Sequence, residues 1–279
     1  MTIELIAHRG TGKGWRQSQQ PPENTLPALR AAWEAGYPSC ELDVRATADG
    51  HLLVIHDATT GRTGSEDLAV AAQPLSALQA LDAGNWKSPR WAGTRFPTLP
   101  DVLAALPPDG RLYIEVKDGP AGTITPLAAA IEAAGIAPER LAIISFVWET
   151  LIAARQALPG VAAYLLVEFQ WDPVAMVWTA QWCESIDGRS VRPVCQRPAD
   201  TGALIEKVAQ AGLAGLDVSA DQPPDFAEQM QQAGLPWVVW TVGDPRTAVE
   251  MAHRGAAGIT TDQPDRVRAA LHRSGFETR

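Results

Sequence analysis

The feature that most constrains the fold is a regular alternation of short apolar runs with helical patterns along almost the whole chain. Each run has the length of a buried strand, and each is followed by a segment with the period of an amphipathic helix. Counted as barrel strands, the runs number eight, as a closed (β/α)8 TIM barrel requires. They lie at residues 3–8, 40–45, 112–116, 141–145, 161–167, 215–218, 237–242 and 258–261.

An open, doubly wound sheet is the alternative α/β arrangement for the same alternation. Such a sheet usually carries a glycine-rich phosphate-binding turn, GxGxxG, directly after its first strand. Gly10, Gly12 and Gly14 do follow the first strand here, but in the sequence HRGTGKGW. We therefore favour the closed barrel and expect the 279 residues to form one barrel domain.

Two stretches interrupt the alternation of strands and helices. Residues 58–97 follow a short strand-like segment at 52–55 and are rich in Gly, Thr, Ala and Pro. We expect them to form a small insertion after the second strand, with little regular structure. Residues 168–199 form a second stretch that is predicted to be irregular, and it carries Trp171, Trp178 and Trp182.

Charge and cysteine usage restrict the partners and the compartment. A net charge of −9 and a pI of about 5.1 disfavour a nucleic-acid partner and a stable association with an anionic membrane. Three cysteines without a CxxC spacing argue against a disulfide framework and a zinc site. We find no signal-peptide pattern and no apolar run long enough to span a bilayer, and therefore expect a cytoplasmic protein.

Carboxylates end two neighbouring predicted strands, at the end of a barrel that opens into the active-site mouth. Glu41 and Asp43 are two residues apart and share one face of the second strand, and Glu115 ends the third. Carboxylates held side by side repel each other, and a divalent cation relieves that repulsion. Oxygen ligands suit Mg²⁺ or Ca²⁺. The alternative is a set of surface carboxylates on an edge strand.

Histidines and cations stand at the same strand ends. His8 ends the first strand and His56 ends the segment at 52–55; each precedes a polar residue. Cleavage of a phosphodiester needs a base and an acid, and histidine suits both roles at neutral pH. Arg9 offers a planar fork for phosphate oxygens. Lys117 could neutralise another oxygen, or form a simple ion pair with its neighbour on the third strand.

Trp240 ends the seventh predicted strand and is a candidate for one wall of the substrate pocket. Because the chain contains ten tryptophans, a role in the core or at the rim remains open for it.

Taken together, these segments resemble the signature of the glycerophosphodiester phosphodiesterase family, in the family's order and over nearly the whole chain. Any one segment is a weak signal, whereas the ordered set is specific. The segments are 7–10 (AHRG), 22–25 (PENT), 41–44 (ELDV), 47–50 (TADG), 56–57 (HD), 115–117 (EVK), 240–242 (WTV) and 258–264 (GITTDQP).

The resemblance implies a TIM barrel with an insertion after strand two and one divalent cation, Mg²⁺ or Ca²⁺, with Mn²⁺ as a further candidate. Three carboxylates would hold the divalent cation, and two histidines would be the general acid and base. Two basic side chains would contact phosphate. In this sequence these are Glu41, Asp43 and Glu115; His8 and His56; and Arg9 and Lys117.

The implied reaction is hydrolysis of a small glycerophosphodiester to glycerol 3-phosphate and an alcohol, through a cyclic phosphate. The residues alone leave direct attack by water open. Two rival hypotheses are a phospholipase of the same barrel class, which the tryptophans of residues 168–199 would suit, and a non-catalytic barrel that binds a phosphorylated metabolite. Residues 168–199 match no motif of the family, and we interpret them as shaping the pocket for the alcohol.

Overall fold

The computed structural model describes residues 2–10 and 19–279. The strands in these ranges are β1 (Thr2–Ala7), β2 (Ser39–Ala46), β3 (Leu52–Val54), β4 (Arg111–Val116), β5 (Leu141–Ser145), β6 (Ala162–Asp172), β7 (Val177–Ser185), β8 (Val191–Gln196), β9 (Gly215–Ser219), β10 (Trp237–Trp240), β11 (Gly258–Thr261) and β12 (Glu277–Thr278). The helices are α1 (Leu26–Glu34), α2 (Leu75–Ala80), α3 (Leu99–Ala105), α4 (Ile124–Ala134), α5 (Trp148–Ala157), α6 (Thr201–Gln210), α7 (Phe226–Ala233), α8 (Pro245–His253) and α9 (Pro264–Arg273).

Eight of these strands run parallel and close into a ring, which confirms the predicted (β/α)8 barrel. The order around the ring is β1, β2, β4, β5, β6, β9, β10 and β11, and β11 pairs with β1 to complete it. Gly12 and Gly14, two of the three glycines that follow the first predicted strand, lie outside the described residues.

Side chains alternate between the two faces of each barrel strand. Along β2, Cys40, Leu42 and Val44 belong to the main core, which the strands share with the surrounding helices. A smaller apolar cluster fills the middle of the barrel, and includes Ile6 and Leu166. Polar side chains on the inward faces therefore lie above or below this apolar layer, towards the two ends of the barrel.

The connection from β1 to α1 fixes the end of the first strand. Thr25 begins the helix as its cap, with its side chain accepting a hydrogen bond from the Ala28 amide, and proline stands in the first turn. Gly10 has φ of +86°, and a Cβ there would come within 2.7 Å of the Ala28 carbonyl carbon. The close packing of this turn on the helix therefore requires glycine.

The insertion after β3 contains little regular structure, namely the six-residue helix α2 and short 3₁₀ turns. It has a small apolar cluster of its own, in which Val70, Leu78 and Phe96 pack on Leu53 and Ile55. The insertion therefore lies against the segment that carries His56.

The prediction that residues 168–199 are irregular is wrong. Strand β6 continues beyond the barrel and pairs antiparallel with β7, which pairs antiparallel with β8. Pro193 lies within β8. It is tolerated because β8 pairs with β7 alone among the described strands, and an edge strand can spare an amide donor.

No helix in the described ranges is both long and apolar enough to cross a bilayer.

Candidate active site

The predicted site residues converge at the end of the barrel where the strands finish. A cavity of about 210 Å³ opens there, and seven of the eight predicted side chains line it. The eighth, Asp43, is fully buried beside them. The seven are His8, Arg9, Glu41, His56, Glu115, Lys117 and Trp240.

The three carboxylates form one buried cluster. Asp43 on β2 is the direct cross-strand neighbour of Glu115 on β4, and Glu41 lies two residues before Asp43 on the same face. One oxygen from each of the three lies within 4.8 Å of the others. Burial raises the pKa of Glu41 well above its usual range, and the neighbouring Asp43 charge raises it further. The cluster therefore concentrates negative charge in a place where water screens it little.

Positively charged side chains next to Asp43 lower its pKa. Burial alone would raise its pKa, but Lys117 and Arg9 hold that pKa well below its usual range. The Lys117 ammonium lies 2.8 Å from Asp43 Oδ1 and 2.5 Å from Glu115 Oε1. Asn24 donates from Nδ2 to Asp43 Oδ2 at 2.7 Å and accepts from the Asp43 amide at 3.2 Å.

The cluster suits a divalent cation. Its donors are hard carboxylate oxygens, the kind that Mg²⁺ and Ca²⁺ take in proteins. Asp43 Oδ1 and Glu115 Oε1 are buried, and neither receives a hydrogen bond of normal geometry from a described residue. Lys117 lies within ion-pairing distance of both oxygens, so a positive charge already compensates this position in the protein alone.

Arg9, which follows the end of β1, contacts the carboxylate cluster through Glu41 and Asp43. Its backbone amide donates to Glu41 Oε2 at 3.0 Å, and its guanidinium contacts Glu23 at 2.7 Å and Asp43 at 3.2 Å. Arg62 from the insertion donates to the same Glu23. Arg9 is 4% exposed, so most of its guanidinium positions carboxylates while one edge reaches the cavity.

Each histidine at the cavity has an aspartate behind it. His8 Nδ1 lies 2.6 Å from Asp262 Oδ1, and His56 Nδ1 lies 2.6 Å from Asp57 Oδ1. A carboxylate at Nδ1 fixes the proton on that nitrogen and leaves Nε2 to exchange protons. Burial lowers the pKa of His56 to about 4, with Asp43 acting in the opposite direction.

The opposite wall of the cavity is largely apolar. It includes Ile144, Phe146 and Leu166, together with Trp240. The Trp240 ring meets Phe146 edge to face, with 5.6 Å between centroids. Its indole donates to the Asp217 carbonyl oxygen at 3.2 Å, which fixes the orientation of the ring. The cavity thus has one charged wall and one apolar wall.

Several residues of this site had no role assigned from the sequence. Asp262, Glu23 and Asn24 lie inside the recognised motifs, so their positions were visible although their contacts were not. Arg62 carries no sequence signal, because it reaches the site from the insertion. Asp217 does carry one: it is an acid inside an apolar strand, between Leu216 and Val218.

The sequence matches known phosphodiesterases over nearly its full length. The model of the "Glycerophosphoryl diester phosphodiesterase family" matches residues 8–266. A glycerophosphodiester phosphodiesterase of Caldanaerobacter subterraneus subsp. tengcongensis is 30% identical over 259 residues, covering 91% of this chain and 100% of the relative. One of Bacillus subtilis is 30% identical over 279 residues, covering 94% of this chain and 84% of the relative.

Solved structures share the fold of this chain. A phosphodiesterase of Oleispira antarctica in complex with the product sn-glycerol-3-phosphate superposes with a TM-score of 0.79 at 23% identity, covering 98% of this chain and 100% of that one. A glycerophosphodiester phosphodiesterase of Agrobacterium tumefaciens gives 0.71 at 25% identity, covering 96% and 99%. The chain therefore belongs to the glycerophosphoryl diester phosphodiesterase family.

Proposed function

We propose that this chain hydrolyses glycerophosphodiesters to glycerol 3-phosphate and an alcohol, with His8 and His56 moving the protons. As a member of its family the chain is a phosphodiesterase. The observation that carries the assignment of roles is the convergence of two aspartate-supported histidines on one cavity beside three buried carboxylates. The Oleispira antarctica structure, which contains sn-glycerol-3-phosphate, supports the identity of the product.

The two histidines divide the proton transfers between them. One removes the proton from the glycerol 2-hydroxyl, whose oxygen attacks phosphorus, and the other protonates the departing alcohol. Water then opens the cyclic phosphate. The aspartate at each Nδ1 keeps the ring oriented, with Nε2 towards the cavity. Both rings line the same cavity, which suits a base and an acid acting on the two ester oxygens of one phosphate.

Two basic side chains on the charged wall of the cavity offset the negative charge of the phosphate. Lys117 and Arg9 contact the non-bridging oxygens, where negative charge accumulates as the new bond forms. Each of them is also paired with two carboxylates: Lys117 with Asp43 and Glu115, and Arg9 with Glu23 and Asp43.

The metal in this proposal is Mg²⁺ or Ca²⁺, with Mn²⁺ as a further candidate, and Glu41, Asp43 and Glu115 hold it. When bound, it supplies Lewis-acid stabilisation of the phosphate oxygens. The all-oxygen donor set is what favours these ions over zinc. A cytoplasmic location is also part of the proposal, and the three free cysteines suit a reducing compartment.

The test is release of glycerol 3-phosphate from glycerophosphocholine, with and without EDTA. We expect EDTA to abolish turnover and added Mg²⁺, Ca²⁺ or Mn²⁺ to restore it. Glu41→Gln should remain folded but bind less metal by calorimetry, because one of three charged ligands is lost. Glu132→Gln, on the exposed face of α4, is the matched control and should change neither property. Full turnover in a metal-stripped sample would contradict the proposal.

A further inference from the structure

Asp217 is a buried acid that the mechanism above does not use. It lies on β9, is 1% exposed and lines the catalytic cavity. Its neighbours in the two adjacent strands, Leu166 on β6 and Val238 on β10, belong to the apolar layer inside the barrel. No described residue forms a hydrogen bond with its Oδ1. The carboxyl group is therefore a polar group set into an apolar wall.

A buried carboxyl without a partner is costly, and such groups in native proteins call for an explanation. An apolar side chain at this position would complete the layer formed by Leu166 and Val238. The Trp240 indole donates to the backbone carbonyl of Asp217, so the Asp217 side chain is not needed to orient that ring. The buried Oδ1, which has no partner among the described residues, thus points to a partner that enters the cavity.

The position of Asp217 in the ring indicates which part of a substrate it meets. Going round the barrel in either direction, β9 is four strands from β2, so Asp217 lies across the barrel from Glu41 and Asp43. A phosphate held at the charged wall would direct one of its two ester groups towards Asp217. Because Asp217 is almost fully enclosed, this group should be the constant part of the substrate, the glycerol. The variable alcohol would then extend through the open mouth.

We propose that Asp217 is a specificity-determining residue whose carboxyl group hydrogen-bonds the terminal hydroxyl of the glycerol moiety, the hydroxyl farther from phosphorus. The inference deepens the proposed function and rests on it. Trp240 and Phe146 would pack on the carbon chain of the glycerol, while Asp217 satisfies its polar end. A site built in this way rejects an analogue that lacks the hydroxyl, because the buried carboxyl would again be unpaired.

The electrostatic environment suits a hydroxyl better than a cationic group. Burial raises the pKa of Asp217 well above its usual range, and the nearby Glu115 raises it further. A shift in this direction favours the protonated carboxyl, which can both donate to and accept from a hydroxyl. A neutral acid offers no full charge to an ammonium headgroup.

The experiment compares two diesters with the same leaving group. One is glycerophosphoethanol, and the other is the propane-1,2-diol analogue, which keeps the hydroxyl next to the phosphoester and lacks the terminal one. We expect the wild type to prefer the glycerol diester by about 10–100-fold in kcat/KM. Asp217→Leu should lose about that factor on the glycerol diester and change less than about threefold on the analogue. Asp217→Asn should retain most of the preference, because an amide still pairs with a hydroxyl.

Each other outcome is decisive. Equal losses on both diesters would mean that Asp217 has only a structural role, and would overturn the inference. A loss larger for glycerophosphocholine than for glycerophosphoethanol would place a cationic headgroup at Asp217, and would also overturn it. No turnover of any diester by the wild type would instead refute the proposed function. If Asp217→Leu does not fold, the preference of the wild type and of Asp217→Asn still decides.

Discussion

At the scale of single residues, the two histidines have the same surroundings. Each ends a strand or strand-like segment beside the cavity, and each has a carboxylate 2.6 Å from Nδ1. The carboxylates come from different places: Asp57 follows His56 directly, whereas Asp262 comes from the end of the last barrel strand, 254 positions along the chain from His8. The first pair could be anticipated from adjacency, and the second required the closed ring.

Replacing Asp262 tests whether it positions His8. In Asp262→Asn, the amide would donate to Nδ1 and move the ring proton to Nε2, so the imidazole would present the wrong tautomer. We expect kcat to fall about 10²–10⁴-fold while KM changes little. The free energy of unfolding should change by less than about 1 kcal/mol.

Asp225→Asn provides the control for Asp262→Asn, because Asp225 is an exposed aspartate that precedes α7. Its kcat should equal that of the wild type. A loss of activity in Asp262→Asn that followed a loss of folded protein would contradict a positioning role.

The pH dependence of stability should reveal the pairing of Asp57. Burial acts to raise its pKa, but hydrogen bonds from Arg62 and His56 prevail and lower it from 3.8 to about 2. A pKa that is lower in the folded state contributes stability above the unfolded value, and this contribution is lost as pH falls through the folded value. In urea unfolding, the difference between wild type and Asp57→Asn should therefore shrink from pH 5 towards pH 2. A difference that stays constant over this range would contradict the assignment.

At the scale of elements, the barrel strands were predictable and the antiparallel extension was not. Barrel strands are apolar on both faces, and their inward polar residues occur at the ends, so they stand out as short apolar runs. In the extension, Phe169 and Trp182 are buried on one face while Glu168 and Gln181 pair on the other. Asp172 and Pro173, which lie between Phe169 and Trp182, interrupt this alternation in the sequence.

The site was predictable to the extent that its residues mark strand ends. Strand ends identify which side chains meet at the cavity, because parallel strands all finish at one end of a barrel. They do not identify contacts from loops. Arg62 approaches Glu23 across 39 positions, and nothing local to either residue specifies that pair. Asp217 is also an acid in an apolar strand, but no second charged residue stands two positions away on the same face, as Asp43 does for Glu41.

The extension is attached to the barrel through Trp182, and this attachment can be measured. Trp182 is 8% exposed and packs in the main core, with the Lys207 ammonium 5.5 Å from its ring centroid. Trp182→Ala should lower the free energy of unfolding by about 3–5 kcal/mol, because it leaves a large cavity. Trp171→Ala is the matched control: that ring is 43% exposed, and its loss should cost less than about 1 kcal/mol. Equal costs in urea unfolding would show that the extension is not anchored at Trp182.

At the scale of the whole molecule, the barrel separates stability from chemistry along its axis. The inward side chains of β1 and of the residue after it show this in sequence: Glu4, Ile6 and His8 follow one another at intervals of two residues and lie on one face. Glu4 lies at the lower end, Ile6 in the apolar middle and His8 at the cavity. Strand β4 has the same order: Arg111 lies at the end of the barrel where Glu4 lies, and Glu115 lies at the cavity. Each barrel strand therefore contributes to both ends of the molecule through residues only a few positions apart.

Glu4 allows this separation to be tested. It is 3% exposed, and its carboxylate accepts hydrogen bonds from Ser39 at 2.6 Å, Arg111 at 2.9 Å and Tyr113 at 3.2 Å. Glu4→Ala would leave the Arg111 guanidinium partly buried without its carboxylate. We expect the free energy of unfolding to fall by about 2–4 kcal/mol, near the cost of removing one partner of a buried ion pair.

Activity should not follow that loss of stability. The apolar layer at Ile6 separates Glu4 from the cavity, so kcat/KM of the Glu4→Ala variant should stay within about twofold of the wild type at temperatures where it is folded. Glu277→Ala is the control, because Glu277 is an exposed carboxylate on β12, which pairs with the start of β1. It should change the free energy of unfolding by no more than about 0.5 kcal/mol. A fall in kcat/KM of fully folded Glu4→Ala would mean that the two ends are coupled through the barrel, and that the separation argued here is wrong.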